Sequence, residues 1–165
     1  MSTPSSMVIA ASFATTLGKT LEIAGASTVD FLLDSGVTFA AGSGAGQANA
    51  FWSDEFTVTT TTPTVNFNAP DTDVFGDSPT FTGIKAVIVK NTSATIALYM
   101  QQGAADGLST LFDTASKGII IAPSSTLILV SSLAAGWVAS ASVKNVVFKS
   151  ASSTLTAQLM ILGHT

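Results

Sequence analysis

The sequence predicts an all-β protein, and three observations support that prediction. Short β-branched or alternating apolar segments recur between turn clusters along the whole of the 165 residues. No window keeps apolar residues at helical spacing for three capped turns. The length fits a single domain, since a chain of this size buries about 70% of the surface that it exposes when unfolded. So many short strands favour two packed sheets or a closed barrel.

The candidate strands are bounded by turn-forming residues and follow one another closely. They cover residues 7–16, 19–24, 37–41, 55–61, 64–68, 80–91, 95–101, 118–122, 126–131, 137–141, 143–150 and 154–162. Residues 1–16 are predicted to form an N-terminal arm and first strand, and residues 17–165 a β-sandwich domain.

Three segments between these strands have a different pattern. TVDFLLDS, residues 28–35, predicts one helical turn with Thr28 as its cap, and residues 108–114 are a second helical candidate. AAGSGAGQANA, residues 40–50, predicts a mobile loop, because glycine and alanine supply few side chains that could pack.

Two segments are apolar on both faces. GIKAVIVKNTSATIALYM, residues 83–100, breaks only at the turn Asn91-Thr92-Ser93, and its first half places Ile84, Ala86 and Ile88 opposite Lys85, Val87 and Val89. LTAQLMILG, residues 155–163, repeats the pattern, with Leu155, Ala157, Leu159 and Ile161 on one face. A second apolar face needs a second layer from the same chain or from a neighbouring subunit. The candidate interface residues are therefore Ile84, Val87, Val89, Leu159, Met160 and Leu162.

The composition is that of an assembly component. The chain is 47% hydrophobic and only 10% charged, against about 25% charged in ordinary soluble domains. Little charge repulsion then opposes self-association or docking.

Six lysines, no arginine and ten acidic residues argue against nucleic-acid binding. No apolar run reaches the ~18 residues of a membrane helix, and without cysteine the chain has no disulfide or thiolate site.

No group of residues predicts catalysis or a cofactor. The only histidine, His164, lies one residue from the end of the sequence and is predicted to be a surface residue. There is no Gly-x-Ser-x-Gly motif. Residues 42–46 are glycine-rich but lack the Gly-Lys-Ser/Thr ending of a phosphate-binding loop. The sequence therefore predicts a protein that is not an enzyme.

The best polar cluster is the segment PDTDVFGD, residues 70–77. Asp71, Asp73 and Asp77 are weak candidates for calcium, but their spacing departs from the twelve-residue calcium loop, and turns between strands explain them better. Paired carboxylates also occur in glycosidases. A sugar site would need aromatic platforms, for which Trp52, Trp137 and Tyr99 are the candidates, although each suits packing or a sheet edge equally well.

The order of these segments resembles a known family. FWSDEFTVTT, an aspartate-rich loop, PTFTGIKAVIVKNTSATIAL, GIIIAPSSTLILVSSLAAGWVAS and NVVFKSASSTLTAQLMILG together cover roughly residues 52 to 163. This pattern resembles small β-sandwich virion proteins of tailed bacteriophages that decorate or cement the capsid. The resemblance implies a jelly-roll-like antiparallel sandwich, homo-oligomers, often trimers, and contact with the major capsid protein. It transfers no functional residue, because such proteins bind through broad surfaces.

The expected function is that of a non-enzymatic structural protein of the phage virion, located on the capsid surface, that stabilises contacts between capsomers. An adhesion module of a tail or head fibre, either receptor-binding or lectin-like, is the alternative, and Trp137, Tyr99 and Asp71 would then form its site. A carboxylate-based glycosidase is a further and weaker alternative.

Overall fold

The computed structural model describes residues 6–21, 25–60, 63–73, 76, 78–112 and 117–165, with the main chain alone up to residue 37. These residues form strands and no helix. The strands are β1 Ser6–Leu21, β2 Gly25–Ala41, β3 Gln47–Ala48, β4 Ala50–Val58, β5 Thr64–Asn66, β6 Gly83–Asn91, β7 Leu98–Gln102, β8 Gly118–Ile121, β9 Thr126–Val130, β10 Trp137–Val138, β11 Asn145–Ser150 and β12 Leu155–His164.

Strands β4 to β12 build two facing sheets. The front sheet has the order β9, β6, β12, β4, and β10 also pairs with β6 on the side of β9. The back sheet has the order β5, β11, β7, β8, and neighbours in both sheets are antiparallel. Strands that are neighbours within a sheet are therefore often distant in sequence. Apart from the short β10, the front and back sheets have four strands each and are interleaved as in a jelly roll, which confirms the predicted all-β sandwich.

The core lies between the two sheets and follows from strand alternation. On β12 the alternate residues Leu155, Ala157, Leu159 and Ile161 are all buried in it. The back sheet contributes Phe148 of β11, whose ring meets Phe56 of β4 edge to face at 5.1 Å. Burial of this apolar surface is the main stabilising term of the domain.

A β-bulge in β6 changes which residues face that core. Ala86 pairs with Leu162, whereas the next pair joins Ile84 to Gly163, so Lys85 is an extra residue on β6. Ile84 and Val87 consequently both lie in the core between the sheets. The predicted face shared by Ile84, Ala86 and Ile88 is wrong at Ile84, because the extra residue shifts the alternation by one position.

Strands β1 and β2 form a long two-stranded ribbon. They pair antiparallel from Ser6 with Ala40 to Leu21 with Gly25. The predicted boundary at residue 16 falls within β1, and the strands predicted at 7–16 and 19–24 belong to this one element up to Leu21. The helical turn predicted for residues 28–35 is wrong, since the whole segment is part of β2. Pairing with a distant segment outweighs its weak local helical signal.

A compact turn connects the ribbon to the jelly roll. After β2, residues 42–46 form a tight loop that returns the chain to the side of β2, and β3 then runs parallel to the end of β2. The Gly46 N–H donates to the Ser132 carbonyl at 2.9 Å, and the Gly44 N–H donates to Gln47 Oε1 at 2.8 Å. The segment predicted as a mobile loop thus contains a short strand and specific hydrogen bonds.

Other strand boundaries differ from the predicted ones by a few residues. Strand β4 begins at Ala50 rather than at residue 55, and β6 begins at Gly83 rather than at residue 80. At the second helical candidate, the described residues form a turn in which the Phe112 N–H donates to the Leu108 carbonyl. Residues 113 and 114 of that candidate lie outside the described residues.

Candidate functional site

The predicted interface residues divide into two groups. Ile84, Val87, Val89 and Leu159 are buried in the core between the sheets, where they contact their own chain. Leu162 and Met160 lie on the outer face of the front sheet, with Leu162 buried and Met160 half-buried. For the four core residues, the back sheet of the same chain therefore supplies the covering layer that the sequence pattern predicted.

One end of the front sheet's outer face is covered by the end of the ribbon. Phe39 of β2 is only 1% exposed and packs in a small cluster with Ala48, Ala86 and Leu162. Phe51, Ile88 and Val130 are partly buried against the same cluster. The cluster gives the front sheet a second apolar layer over part of its surface.

The remainder of that outer face contains a depression of about 390 Å³. Ile88 and Met160 contribute its apolar part, and Lys90, Glu55 and Gln158 its polar part. Gln158 Nε2 donates to Glu55 Oε2 at 2.8 Å. An apolar centre with a polar rim is the composition expected of a protein contact surface.

Four large apolar side chains are exposed on β8, β9, β10 and the loop after β9. Ile120 lies on β8, the last strand of the back sheet, and Ile128 lies on β9 at the neighbouring edge of the front sheet. Leu133 follows β9, and Val138 lies on β10 beside it. Their exposed fractions are 64% for Ile120, 37% for Ile128, 71% for Leu133 and 46% for Val138. We call these four residues the apolar flank.

The sequence around the apolar flank is also uncharged. Residues 118–143 contain no Asp, Glu, Lys or Arg. The turn between β8 and β9 is fixed, since the Ser124 N–H donates to the Ser93 carbonyl at 2.8 Å and the Asn91 N–H donates to the Ser125 carbonyl at 2.9 Å. A firmly held, uncharged apolar surface is suited to docking on another protein.

The opposite side of the sandwich has a cleft of about 360 Å³ between the edge strands β4 and β5. Trp52 and Phe56 line it together with Asp54, Asn66 and Asp71. The Trp52 indole N–H donates to the Asp71 carbonyl at 2.7 Å, which ties the aspartate-rich loop to β4. Asn66 Oδ1 accepts the N–H groups of Asn68 and Ala69, each at 3.0 Å, and so shapes the turn after β5.

The residues predicted for an adhesion site lie on different parts of the sandwich. Trp137 is on β10, beyond β6, and packs against the core, whereas Asp71 lies beside β4 at the other edge. Tyr99 is on β7 of the back sheet, paired with Lys149 and Ile120. The aromatic partner of Asp71 is Trp52, whose role sequence spacing alone did not reveal.

The calcium hypothesis concerned three aspartates of one loop. Asp71 is exposed and Asp73 is buried, whereas Asp77 lies outside the described residues. Among the residues that the structure describes, no three His, Asp or Glu side chains are grouped as a metal site would require. Calcium binding by Asp71, Asp73 and Asp77 together stays a prediction.

Lys85 is a polar residue whose environment the sequence did not predict. It is 0% exposed, and its ammonium donates to the main-chain carbonyls of Leu133, Ala134 and, at 3.3 Å, Gly44. Burial lowers the pKa of Lys85, because desolvation disfavours the charged amine. The side chain therefore joins the turn after the ribbon to the loop between β9 and β10.

His164, predicted to be a surface residue, is part of β12 and half-buried. Its Nδ1 lies 3.1 Å from Thr82 Oγ1. Within the described part of the chain, its Nε2 is buried without a hydrogen-bond partner. Pairing of His164 with Gly83 holds the imidazole at the sheet end.

No helix among the described residues is long and apolar enough to cross a membrane. Comparison of the chain with protein-family models, with curated proteins and with solved structures finds no match. The surfaces described above are therefore the basis on which a function is assigned.

Proposed function

We propose that the chain is a non-enzymatic structural protein of a phage particle, a decoration or cement subunit that stabilises contacts between capsomers. It would be located on the capsid surface, bind the major capsid protein and act as a homo-oligomer, most favourably a trimer. Jelly rolls serve as viral capsid domains and also as lectins. Since fold alone does not decide function, the proposal depends on the surfaces.

The apolar flank is the observation that carries the proposal. Exposed large apolar side chains concentrated in one part of a soluble protein often mark a binding site. By register, Ile120 shares the outer face of the back sheet with Tyr99, and Ile128 shares the outer face of the front sheet with Ile88, so the flank extends around the edges of both sheets. A surface of this kind suits a broad, largely apolar contact with a large assembly better than it suits a small ligand.

The test is co-sedimentation of the purified protein with capsid shells that lack it, beside intact host cells as a competing target. The proposal expects saturable binding to shells at a fixed ratio to the major capsid protein. Leu133→Lys should abolish that binding, because a charge would be buried in the contact. Thr57→Lys, an exposed position on β4 at the opposite edge, is the matched control and should bind as the unmodified protein does. Equal binding by both variants would refute a contact through the apolar flank.

The cleft between β4 and β5 favours the alternative of an adhesion module. It combines Trp52 and Phe56 with the polar groups of Asp54, Asn66 and Asp71, and lectin-like sites use such mixtures of aromatic and polar groups. Under this alternative the protein binds cells but not shells, and Asp71→Ala abolishes the binding. Under the capsid proposal, Asp71→Ala leaves shell binding intact.

A further inference from the structure

No described strand lies over most of the ribbon of β1 and β2. Its sixteen-residue first strand spans about 50 Å at ~3.3 Å per residue. Among the described strands, β1 pairs with β2 alone, and β2 continues into the rest of the fold only through β3. A two-stranded ribbon by itself is at best marginally stable in water, so a ribbon of this length is expected to pack against a partner.

The register separates residue types onto the two faces of the ribbon. Directly paired residues share a face, and the face alternates at each step along a strand. One face carries the positions of large apolar residues, among them Met7, Ile9, Phe13, Phe31, Leu33 and Val37. The other face carries mainly small and polar positions, among them Ser12, Thr16, Thr28, Asp30, Asp34 and Thr38. We call the first of these the apolar ribbon face.

Phe39 shows which face is covered in the folded protein. Phe39 pairs with Met7 and therefore belongs to the apolar ribbon face. It is buried on the front sheet, whereas Thr38 and Ala40 on either side of it are exposed. The apolar ribbon face is thus continuous with an apolar surface that is already packed against the front sheet at Phe39.

We propose that the rest of the apolar ribbon face packs against the same face of a second copy of this chain. An identical ribbon matches it in length and in residue type, and sheets stack face to face ~10 Å apart. A ribbon about 50 Å long and ~10 Å wide offers about 500 Å² per partner, which brings two copies to the ~1,000 Å² that a specific contact requires.

Charge selects the apolar face over the polar one. Asp30 and Asp34 lie on the polar face by register, so two copies packed through that face would bring like charges together. The apolar ribbon face carries Lys19 near the turn end of the ribbon as its only charged position. This self-association is independent of the capsid role, because it is tested on the purified chain alone.

Two adjacent leucines provide a matched pair of variants. Leu33 pairs with Phe13 on the apolar ribbon face, and Leu32 pairs with Ala14 on the other face. Sedimentation equilibrium of the unmodified protein should give an even multiple of 16.7 kDa, because a face that contacts itself joins copies in pairs. Leu33→Lys should raise the dissociation constant at least about tenfold, while Leu32→Lys should change it by less than about twofold. A monomeric unmodified protein at about 100 μM, or equal shifts in both variants, would overturn the proposal.

A second measurement identifies the surface that the ribbon contacts. The chain contains no cysteine, so a bifunctional thiol reagent can link a single introduced cysteine only to another copy. By register, position 11 belongs to the apolar ribbon face and position 10 to the opposite face. A reagent long enough to span two facing sheets should yield covalent dimers from Ala11→Cys and far fewer from Ala10→Cys. If Leu33→Lys dissociates the oligomer but Ala11→Cys does not cross-link, the ribbon contacts a neighbour's sandwich instead, and the proposal fails.

Discussion

The jelly roll and the ribbon are built from the same kind of strand but differ in what covers it. In the jelly roll, the inner residues of β12 meet the back sheet of their own chain and are buried. In the ribbon, β1 and β2 alternate just as regularly, and Phe39 is the position on their apolar face whose burial against the jelly roll the structure describes. The same periodicity can therefore specify a core in one region and an intermolecular surface in another.

The comparison also shows that extensive strand pairing does not by itself make a region of the protein stable. The ribbon has the longest continuous strand pairing among the described elements. Net stabilisation by a main-chain hydrogen bond is only about 0.5–1.5 kcal/mol, and the ordering of each residue opposes it. Apolar burial supplies the larger favourable term. The jelly roll should consequently account for nearly all the stability of an isolated chain.

The largest effect is expected from a deletion in the jelly-roll core. Phe148 is fully buried and meets Phe56 edge to face. Phe148→Ala should lower the free energy of unfolding by about 3–5 kcal/mol, through lost burial and the cavity left behind. Urea denaturation measures this loss. Val147→Ala, next to it but half-buried, is the control and should cost about 1 kcal/mol or less. Equal losses would place the core elsewhere.

The sequence was sufficient to predict those strand faces that depend only on the two-residue alternation of side chains. Leu155, Ala157, Leu159 and Ile161 were assigned to one face of a strand, and all four lie in the core. The shift at Ile84 could not be predicted, because a bulge is visible only in the register with the partner strand β12. A single extra residue reverses the face of everything beyond it.

The candidate surfaces were less accessible to sequence reasoning. Both-face apolar segments correctly indicated a second layer, but not whether the same chain or a neighbour supplies it. The apolar flank assembles β8, β9 and β10 from two sheets, and the edge cleft brings Asp71 to Trp52, so both depend on strand order. The helical pattern of residues 28–35 was overridden by pairing with β1, a non-local interaction that no local window contains.

The next effect concerns a buried amide that ties the crossovers between the sheets. Asn91 is fully buried, and its Nδ2 donates to the carbonyls of Ile96 at 2.8 Å and of Ile121 and Ala122 at 3.1 Å. Asn91→Ala should cost about 2–3 kcal/mol of unfolding free energy, because buried carbonyls lose their donor.

Asn145→Ala is the matched control for this amide. Asn145 Nδ2 makes a hydrogen bond to the Ala105 carbonyl at an exposed position, so its loss should cost about 1 kcal/mol. Urea midpoints of the two variants, measured side by side, test the difference. Comparable losses would mean that the Asn91 amide does not stabilise the crossovers more than an ordinary surface contact does.

A smaller effect is expected where the ribbon joins the jelly roll, at Lys85. Burial lowers the pKa of this amine from its ordinary 10.5, so the unfolded chain binds more protons than the folded one between the lowered pKa and 10.5. The free energy of unfolding should therefore rise with pH through that window. Below it both states are charged, and burial of the charged amine disfavours the folded state throughout.

Lys85→Met should remove this contribution to the pH dependence. Urea unfolding at intervals between pH 8 and pH 10.5 would show a shallower rise in the variant than in the unmodified protein. Lys90→Met, at an exposed position five residues along the same strand, should retain the rise. Identical slopes in all three proteins would show that the Lys85 amine has the same proton affinity in the folded and unfolded states.

The smallest effect is expected from an aromatic deletion in the ribbon of the dilute protein. Phe31 lies on the apolar ribbon face by register, opposite Thr15. In a monomer no described strand covers that face at this position, so Phe31→Ala should change the free energy of unfolding by about 0.5 kcal/mol or less. At concentrations where copies associate, the same substitution should cost more, because the partner ribbon then buries the ring. Phe148→Ala should cost the same at both concentrations. A concentration-independent loss for Phe31→Ala as large as that for Phe148→Ala would mean that the chain itself covers the ribbon, and the distinction between the two regions would then disappear.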